Sequence, residues 1–328
     1  MKKFILFFLS AALLGLSVAA QAETIKNKTF INTVYKNVKT IKVVQTVLDV
    51  DVTAADSPDH TSVKCHVNEL ETNIEGYKIE ARLVGSTLEI YQDGSKPLRG
   101  TTFRKSDGYI RIAVAQGVKV VVVNAVSGDV SASGLKMDNM AFSTVSGDMK
   151  ASGCQAVTAL SFKSTSGDMG IGACSAPNFS AKSVSGDLKF DGLVSELAVI
   201  TTTSGDISLK NCRGNKIDVK TVSGDVYGKS LPNGADFALV GVTSTSGDIS
   251  LYLGEQVKQT AFKSVSGDIS LYLKGNLKDN NYALGGVSSS ISIAGVARAS
   301  KKLELELGQG LVNIKANAVS GDISVANY

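Results

Sequence analysis

The sequence predicts an all-β protein that folds as a solenoid of stacked coils, and two observations carry this prediction. The triplet Ser-Gly-Asp begins at nine positions, most of them 19 or 20 residues apart. Sustained helical periodicity is absent, while Gly, Ser, Thr and Val crowd the chain after residue 117, as is typical of short strands and tight bends. A period of about 20 residues without helices is the signature of a β-solenoid. We therefore expect a parallel β-helix of 19–20 residues per coil, right-handed because parallel crossover connections are overwhelmingly right-handed.

Each triplet is expected to form a corner between two strands. Val or Thr precedes every Ser and an apolar residue follows every Asp, as in FKSVSGDISLYL from Phe262 to Leu273, which fits half-buried strands on both sides. Gly can adopt φ > 0 in a tight corner, and Asp and Ser can bond backbone N–H groups there. The turn glycines are Gly128, Gly147, Gly167, Gly186, Gly205, Gly224, Gly247, Gly267 and Gly321. The corner aspartates are Asp129, Asp148, Asp168, Asp187, Asp206, Asp225, Asp248, Asp268 and Asp322.

A second bend is expected six or seven residues after each Ser, where the residues are small or polar, as at Ser133-Gly134 and Asp191-Gly192. The segment 288–290, inside VSSSISI, looks like a decayed triplet, because Ile291 and Ile293 stand at the apolar strand positions that follow it. In a stack of coils, each phase of the repeat becomes a column of like residues ~4.8 Å apart.

The first 22 residues have the features of a secretory signal peptide. Lys2 and Lys3 precede an apolar run from Phe4 to Leu16, and Ala20-Gln21-Ala22 is a cleavage site of the A-x-A type,. The apolar run is shorter than the ~20 residues that a membrane-spanning helix needs, and no later segment is long and apolar enough to span as a helix. We expect an exported protein, located in the periplasm, on the cell surface or secreted.

The remaining chain divides into three parts by the phase of the repeat. Residues 23–116 are rich in strands but out of phase, and form either a cap or early irregular coils. Residues 117–296 carry the regular solenoid, and residues 297–328 read as two strands about a Gly-Gln-Gly turn followed by a final coil. Because the open ends of a solenoid are adhesive edges, atypical terminal segments are expected as caps.

The net charge gives no indication of a nucleic-acid partner. The formal charge is +4, and removal of Lys2 and Lys3 with the signal peptide lowers it to +2. A nearly neutral chain of this size without a basic stripe does not resemble a nucleic-acid-binding protein.

The combination of an export signal, strands such as IKVVQTVLDVDV, the segment GYIRIAVAQGVKVVVV and serial VSGD-[IVLM] repeats resembles the bacterial "putative adhesin" family of exported β-strand-repeat domains of unknown function. The resemblance covers nearly all of the mature chain. It implies a β-helix-like exported protein and brings no catalytic residues with it. The chain departs from the tidiest members of that family between Ser266 and Ser320, where the repeat is irregular.

The nine aspartates allow two interpretations. Each Asp can serve as a structural cap of its own corner, or the column can form an acidic ladder that binds Ca²⁺ or a partner. One Asp and one Ser per coil supply few of the six to eight oxygens that Ca²⁺ requires, so the sequence favours the structural role and no cofactor. A melting experiment with and without a chelator separates the two.

The cysteines and histidines give no catalytic or metal motif. Cys154, Cys174 and Cys212 share one phase with leucines in other coils, which favours buried thiols. Cys154 and Cys174 lie on adjacent coils, so export also permits a disulfide between them. His60 and His66 lie outside the repeats and match no zinc spacing,.

Three functions remain, in order of preference. The first is a non-catalytic adhesin-like or envelope scaffold protein that binds a surface polymer, a glycan or an envelope protein through extended sheet faces. The second is a Ca²⁺-stabilised solenoid. The third is a carbohydrate-active β-helix enzyme, which the uniform coil lengths between Ser127 and Ser223 disfavour because no long loops build a groove.

Overall fold

The computed structural model describes residues 23–74, 76–93, 103–228, 236–307 and 310–328. Within these ranges the protein has 27 β-strands and one short 3₁₀ helix, so the all-β prediction is confirmed. No helix in this part of the chain is long and apolar enough to cross a membrane. The predicted signal peptide, residues 1–22, lies outside the described residues.

The N-terminal part contributes eight strands of unequal length. In chain order they are β1 (Glu23–Lys36), β2 (Thr40–Val44), β3 (Asp49–Ala54), β4 (His60–Thr72), β5 (Lys78–Val84), β6 (Thr87–Asp93), β7 (Phe103–Val114) and β8 (Val120–Asn124).

The middle of the chain alternates a short strand after each triplet with a longer strand after the second bend. In chain order these are β9 (Val130–Ser133), β10 (Lys136–Ser143), β11 (Met149–Ser152), β12 (Gln155–Lys163), β13 (Met169–Gly172), β14 (Ser175–Lys182), β15 (Leu188–Asp191), β16 (Val194–Thr201), β17 (Ile207–Lys210), β18 (Arg213–Lys220), β19 (Val226–Gly228), β20 (Asp236–Thr243), β21 (Ile249–Leu253), β22 (Gln259–Ser264) and β23 (Ile269–Leu273).

The C-terminal part begins with the 3₁₀ helix Leu277–Asp279 and continues with four strands. These are β24 (Asn281–Ile293), β25 (Ala297–Glu306), β26 (Asn313–Ala318) and β27 (Ile323–Asn327).

The coils stack as two columns of parallel strands that meet at the triplet corner. One column runs β7, β3, β9, β11, β13, β15, β17, β19, β21, β23 and β27. The other runs β6, β2, β8, β10, β12, β14, β16, β18, β20, β22 and β26. The long strand β24 passes the corner and pairs with both β26 and β27.

At both ends the stacking order departs from the chain order. The coil made by β2 and β3 lies between β6–β7 and β8–β9. The last coil of the chain, β26–β27, likewise lies between β22–β23 and β24. Antiparallel strands complete the ends, with β4 on β7, β1 on β4 and β5 on β6 at one end and β25 on β24 at the other.

The strand pairings at these ends describe both terminal parts of the chain. Residues 23–116 supply both coils of the stack and antiparallel edge strands, rather than one or the other. In residues 297–328, β25 and β26 do not pair about the Gly-Gln-Gly turn, because they lie on opposite sides of β24. The first two residues of that turn, 308 and 309, lie outside the described residues.

The interior of the stack is filled by the inward side chains of each coil, among them a row of phenylalanines. Phe142 stacks on Phe162 with ring centroids 5.4 Å apart, and Phe179 continues the row at 6.0 Å. The second bend lies where the sequence predicted it. Gly134 and Gly192 have φ of 65° and 78° there, a conformation that glycine adopts without strain.

All four cysteines of the chain are buried free thiols. Cys154, Cys174 and Cys212 lie in the interior column that leucines occupy in other coils. Burial raises the pKa of Cys212 to about 11 and that of Cys65 to about 12. The Cys154 thiol and burial together raise the pKa of Cys174.

We expect the native protein to leave all four thiols unmodified by an aromatic disulfide reagent at neutral pH. The reason is that the thiols are shielded from solvent and the thiolate is the reactive form. Colorimetric titration of native and denatured protein checks this, and four thiols should react only after unfolding. A native protein in which Cys154 and Cys174 are oxidised would yield two fewer thiols after unfolding, and rapid labelling of folded protein would contradict the burial.

Candidate functional site

The corner aspartates form a continuous ladder that links each coil to the next. Oδ1 of Asp168 accepts a hydrogen bond from the backbone N–H of Asp187 at 2.9 Å, and Oδ1 of Asp187 accepts one from Asp206 at 3.0 Å. The other triplets repeat this bond at distances from 2.7 to 2.9 Å. Each Asp therefore caps the corner of the following coil in the stack, and not its own corner as the sequence predicts.

The ladder is longer than the triplets reveal, and it ends where its acceptors are no longer needed. At one end, Asp49 accepts from the N–H of Asp129 at 3.0 Å. The sequence missed Asp49 because Val47 and Leu48 replace the Ser-Gly of the triplet. At the other end, Asp322 accepts from the N–H of Ser290 at 2.8 Å. The decayed triplet thus occupies the corner of β24, the last strand of the parallel stack, beyond which no described coil requires a carboxylate.

The triplet glycines are required by close packing between coils, which corrects the reason predicted from the sequence. None of these nine glycines has a positive φ. A Cβ on Gly186 would instead lie 2.0 Å from the carbonyl oxygen of Gly167. The other triplet glycines would place a Cβ 1.9 to 2.2 Å from the carbonyl oxygen in the preceding coil. A side chain larger than that of glycine therefore does not fit at these nine positions.

A second set of corner residues escaped the sequence analysis. In seven of the nine copies, the residue two positions before Ser is buried and its hydroxyl accepts a hydrogen bond from the glycine N–H at 2.8 to 3.2 Å. The residues are Thr144, Ser164, Ser183, Thr202, Thr221, Ser244 and Ser264. The sequence contains a signal for these residues, since seven copies of the repeat have Ser or Thr two positions before the triplet. Gln45 supplies the same bond to Leu48 in the irregular coil, at 2.7 Å.

The outer edge of the ladder presents an acidic column beside a column of half-exposed Val and Thr. Val145 and Val222 are typical of the second column, with exposed fractions of 44% and 46%. No three His, Cys, Asp or Glu residues in the described part of the chain are arranged to hold a metal ion. One carboxylate oxygen of each ladder Asp already accepts an N–H, so the oxygens for a Ca²⁺ cage of six to eight ligands are not assembled here.

An open depression lies where the ladder meets the N-terminal edge strands. Asp49, Asp51 and Tyr109 line it. The Arg111 guanidinium lies 3.9 Å from the Tyr109 ring centroid and 3.5 Å from a carboxylate oxygen of Asp51. Burial raises the pKa of Asp49, the N–H of Asp129 opposes that rise, and neighbouring carboxylates add to it. The depression is therefore polar and crowded with negative charge.

The remaining candidates from the sequence serve local contacts. His66 Nδ1 lies 2.9 Å from the hydroxyl of Thr29, and His60 Nδ1 lies 3.0 Å from that of Ser57. Tyr252 and Tyr272, on adjacent coils, stack on each other with ring centroids 4.5 Å apart. Because these two rings cover each other, they do not offer a pair of free faces to a sugar.

Comparison with known proteins places the chain in a family of unknown function. The profile of the family described as Toastrack DUF4097 matches residues 38–326. Among solved structures, the chain is similar to a "Putative lipid binding protein" from Parabacteroides distasonis, at 14% identity and a TM-score of 0.47, covering 92% of this chain and 96% of that one. It is also similar to a "putative adhesin" from Parabacteroides merdae, at 14% identity and a TM-score of 0.44, with the same coverage. No curated protein matches the chain.

We expect Gly186→Ala to lower the free energy of unfolding by about 3 kcal/mol or more, because the added Cβ overlaps the carbonyl of the preceding coil,. The matched control is Gly170→Ala, in the preceding coil, where the nearest atom to an added Cβ is 4.0 Å away. This control should change stability by less than about 0.5 kcal/mol. Chemical denaturation of both variants measures the difference, and equal effects would show that the corner can open.

Two substitutions at one position of the ladder distinguish the role of aspartate as a hydrogen-bond acceptor from the role of its charge. Asp187→Ala should cost about 1–3 kcal/mol, because the N–H of Asp206 loses its acceptor,. Asp187→Asn keeps a side-chain oxygen and should cost less than about 0.5 kcal/mol. Urea denaturation of the two variants tests this. If Asn proves as damaging as Ala, the carboxylate charge is needed and a bound cation becomes the better explanation.

Proposed function

This chain belongs to the Toastrack DUF4097 family, and from that premise we propose that it is an exported, non-catalytic scaffold or adhesin-like protein. It binds a surface polymer, a glycan or an envelope protein along its extended outer faces. The signal-like segment at residues 1–22 directs it to the periplasm or the cell surface, and its coils wind as a right-handed parallel β-helix.

The observation that carries this proposal is how the residues repeated in each coil are used. The interior is filled by apolar side chains, and the repeated polar groups of the corner bond to the next coil. What each coil leaves for a partner is its outer surface, repeated every ~4.8 Å along the stack. Such a surface suits weak contacts that add up along a polymer or an extended partner.

The two competing functions find less support in the geometry. An acid–base enzyme needs an unlike pair of groups with separated pKa values, whereas the corner aspartates occupy equivalent positions with the same N–H partner. A Ca²⁺ solenoid needs caged oxygens, and the ladder gives one oxygen of each carboxylate to a backbone N–H. The structural role of the aspartates is therefore the one we propose.

Deletion of whole coils tests the proposal. Removing residues 166–203 joins Thr165 to Ser204 at the same phase and takes out β13 to β16. Removing only residues 166–184 takes out a single coil. Binding to immobilised envelope polysaccharide should weaken in steps with the number of coils removed, because contacts are lost in proportion to length.

The same variants should show no release of reducing ends from polysaccharide substrates, as should the full chain. Circular dichroism and thermal melting serve as controls that the shortened stacks remain folded. A turnover that disappears on deletion, or on a single Asp substitution, would identify an enzyme and contradict the proposal. Complete loss of binding on removing one particular coil would indicate a discrete site instead of an extended face.

A further inference from the structure

The C-terminal end of the stack finishes in a strand with a free edge. Among the described residues, β25 pairs with β24 and with no other strand. It is ten residues long, so its outer side presents a row of backbone N–H and C=O groups. Such an edge is a template for pairing with another strand.

The apolar interior is also incompletely covered at this end. The inward side chains of β25 continue the rows of the coils, with Leu303 opposite Leu284 and Leu305 opposite Tyr282. Both leucines are only half-buried, as are Ala297 and Ala299. At the opposite end, by contrast, Tyr77 is 2% exposed and packs edge-on against Phe30 and Phe103. The β25 end is the one that a further layer would complete.

The shape of β25 restricts what can pair with it. The strand bends at Lys301, which has a φ of 73°, where β24 passes the corner and the register shifts between Gly285 and Ser290. Residues before the bend continue one strand column and residues after it continue the other. A partner strand must therefore bend at the same corner.

We propose that the partner is a second copy of this chain, joined end to end by antiparallel pairing of the two β25 strands about a two-fold axis through Lys301. A two-fold axis at the bend sets the corner of one molecule against the corner of its partner. Each strand column of one molecule then continues into a strand column of the other. Antiparallel pairing about any other residue would set the bend of one strand against a straight part of its partner. The bend thus fixes the register.

In this register the charges of β25 are self-complementary. Among the outward side chains, Arg298 lies before the bend, and Lys302, Glu304 and Glu306 lie after it. Pairing about Lys301 sets Arg298 opposite the partner's Glu304, and the symmetry repeats the pair. Directly opposite charges on neighbouring strands stabilise pairing. Glu304 also lies 2.9 Å from Lys302 of its own strand, which places the partner's Arg298 beside an existing ion pair.

The inward side chains are complementary in size. The same register sets Leu303 opposite the partner's Ala299 and Leu305 opposite the partner's Ala297. Large residues therefore meet small ones across the junction, the arrangement that fills a core without voids or overlap. The one unfavourable pair is Lys301 with the partner's Lys301, at an exposed corner where water and salt screen the repulsion.

Charge reversal tests the interface. Arg298→Glu or Glu304→Arg alone should weaken dimerisation roughly tenfold or more, because each places like charges across both symmetric pairs. The double variant R298E/E304R should restore it. Sedimentation velocity over a dilution series measures the dissociation constants. Arg213→Glu, at an exposed position on β18 away from the end, is the control and should leave association unchanged.

A cysteine at the axis tests the register. Lys301→Cys brings two thiols together across the two-fold axis and should form an intermolecular disulfide under mild oxidation, since the native cysteines are buried. Lys315→Cys, an exposed position on β26 away from that axis, is the matched control and should not cross-link. A monomer at every concentration would show that the edge charges protect against pairing and overturn the proposal. A dimer that neither R298E nor E304R weakens, or that K301C fails to cross-link, would overturn it equally.

Discussion

The structure depends on the close contact between successive coils at the triplet corner. Each triplet glycine lies directly against the carbonyl of the residue at the same phase in the preceding coil, at a distance that leaves no room for a Cβ. This contact brings the corner backbones close enough for the aspartate of one coil to reach the N–H of the next. The hydroxyl two residues before Ser satisfies the glycine N–H at the same place. In these corners the N–H groups of both the glycine and the aspartate therefore have acceptors, as burial requires.

The direction of the aspartate bond explains how the stack ends. A carboxylate is useful in a coil only if another coil follows and offers it an N–H. Asp49 begins the ladder although its coil has lost the Ser-Gly of the triplet, and Ser290 ends it without a carboxylate. The placement of β2–β3 and of β26–β27 inside the stack, rather than at its ends, leaves long antiparallel strands as the outermost elements. The N-terminal end is closed by aromatic packing, and the C-terminal end is covered only by half-buried side chains.

For function, the division between inside and outside matters most. The repeat assigns its glycines and aspartates to contacts between coils and its buried hydroxyls to the corner of their own coil. In the function that we propose, the outward residues, which differ from coil to coil, are the ones left to meet a partner. The acidic depression beside Asp49 and the Val/Thr column at the corner are local variations on that outer surface. A protein organised in this way gains outer surface by adding coils, and each coil carries the aspartate and the glycine that join it to its neighbours.

The sequence by itself determined the all-β class, the length of the coil, the positions of both bends and the shared phase of the nine triplets, because each is a local pattern that stacking repeats. It could not show that the triplet glycines serve contact between coils, since a glycine required by a positive φ and one required by a neighbour's carbonyl look alike in a sequence. Nor could it show that each aspartate serves the next coil, or that Asp49 and Gln45 belong to the corner. The tertiary structure alone decided the order of the terminal coils, because β2–β3 and β26–β27 fit their places through pairing with strands distant in sequence. Repeats reveal what is alike in every coil, whereas the ends depend on long-range contacts that occur once.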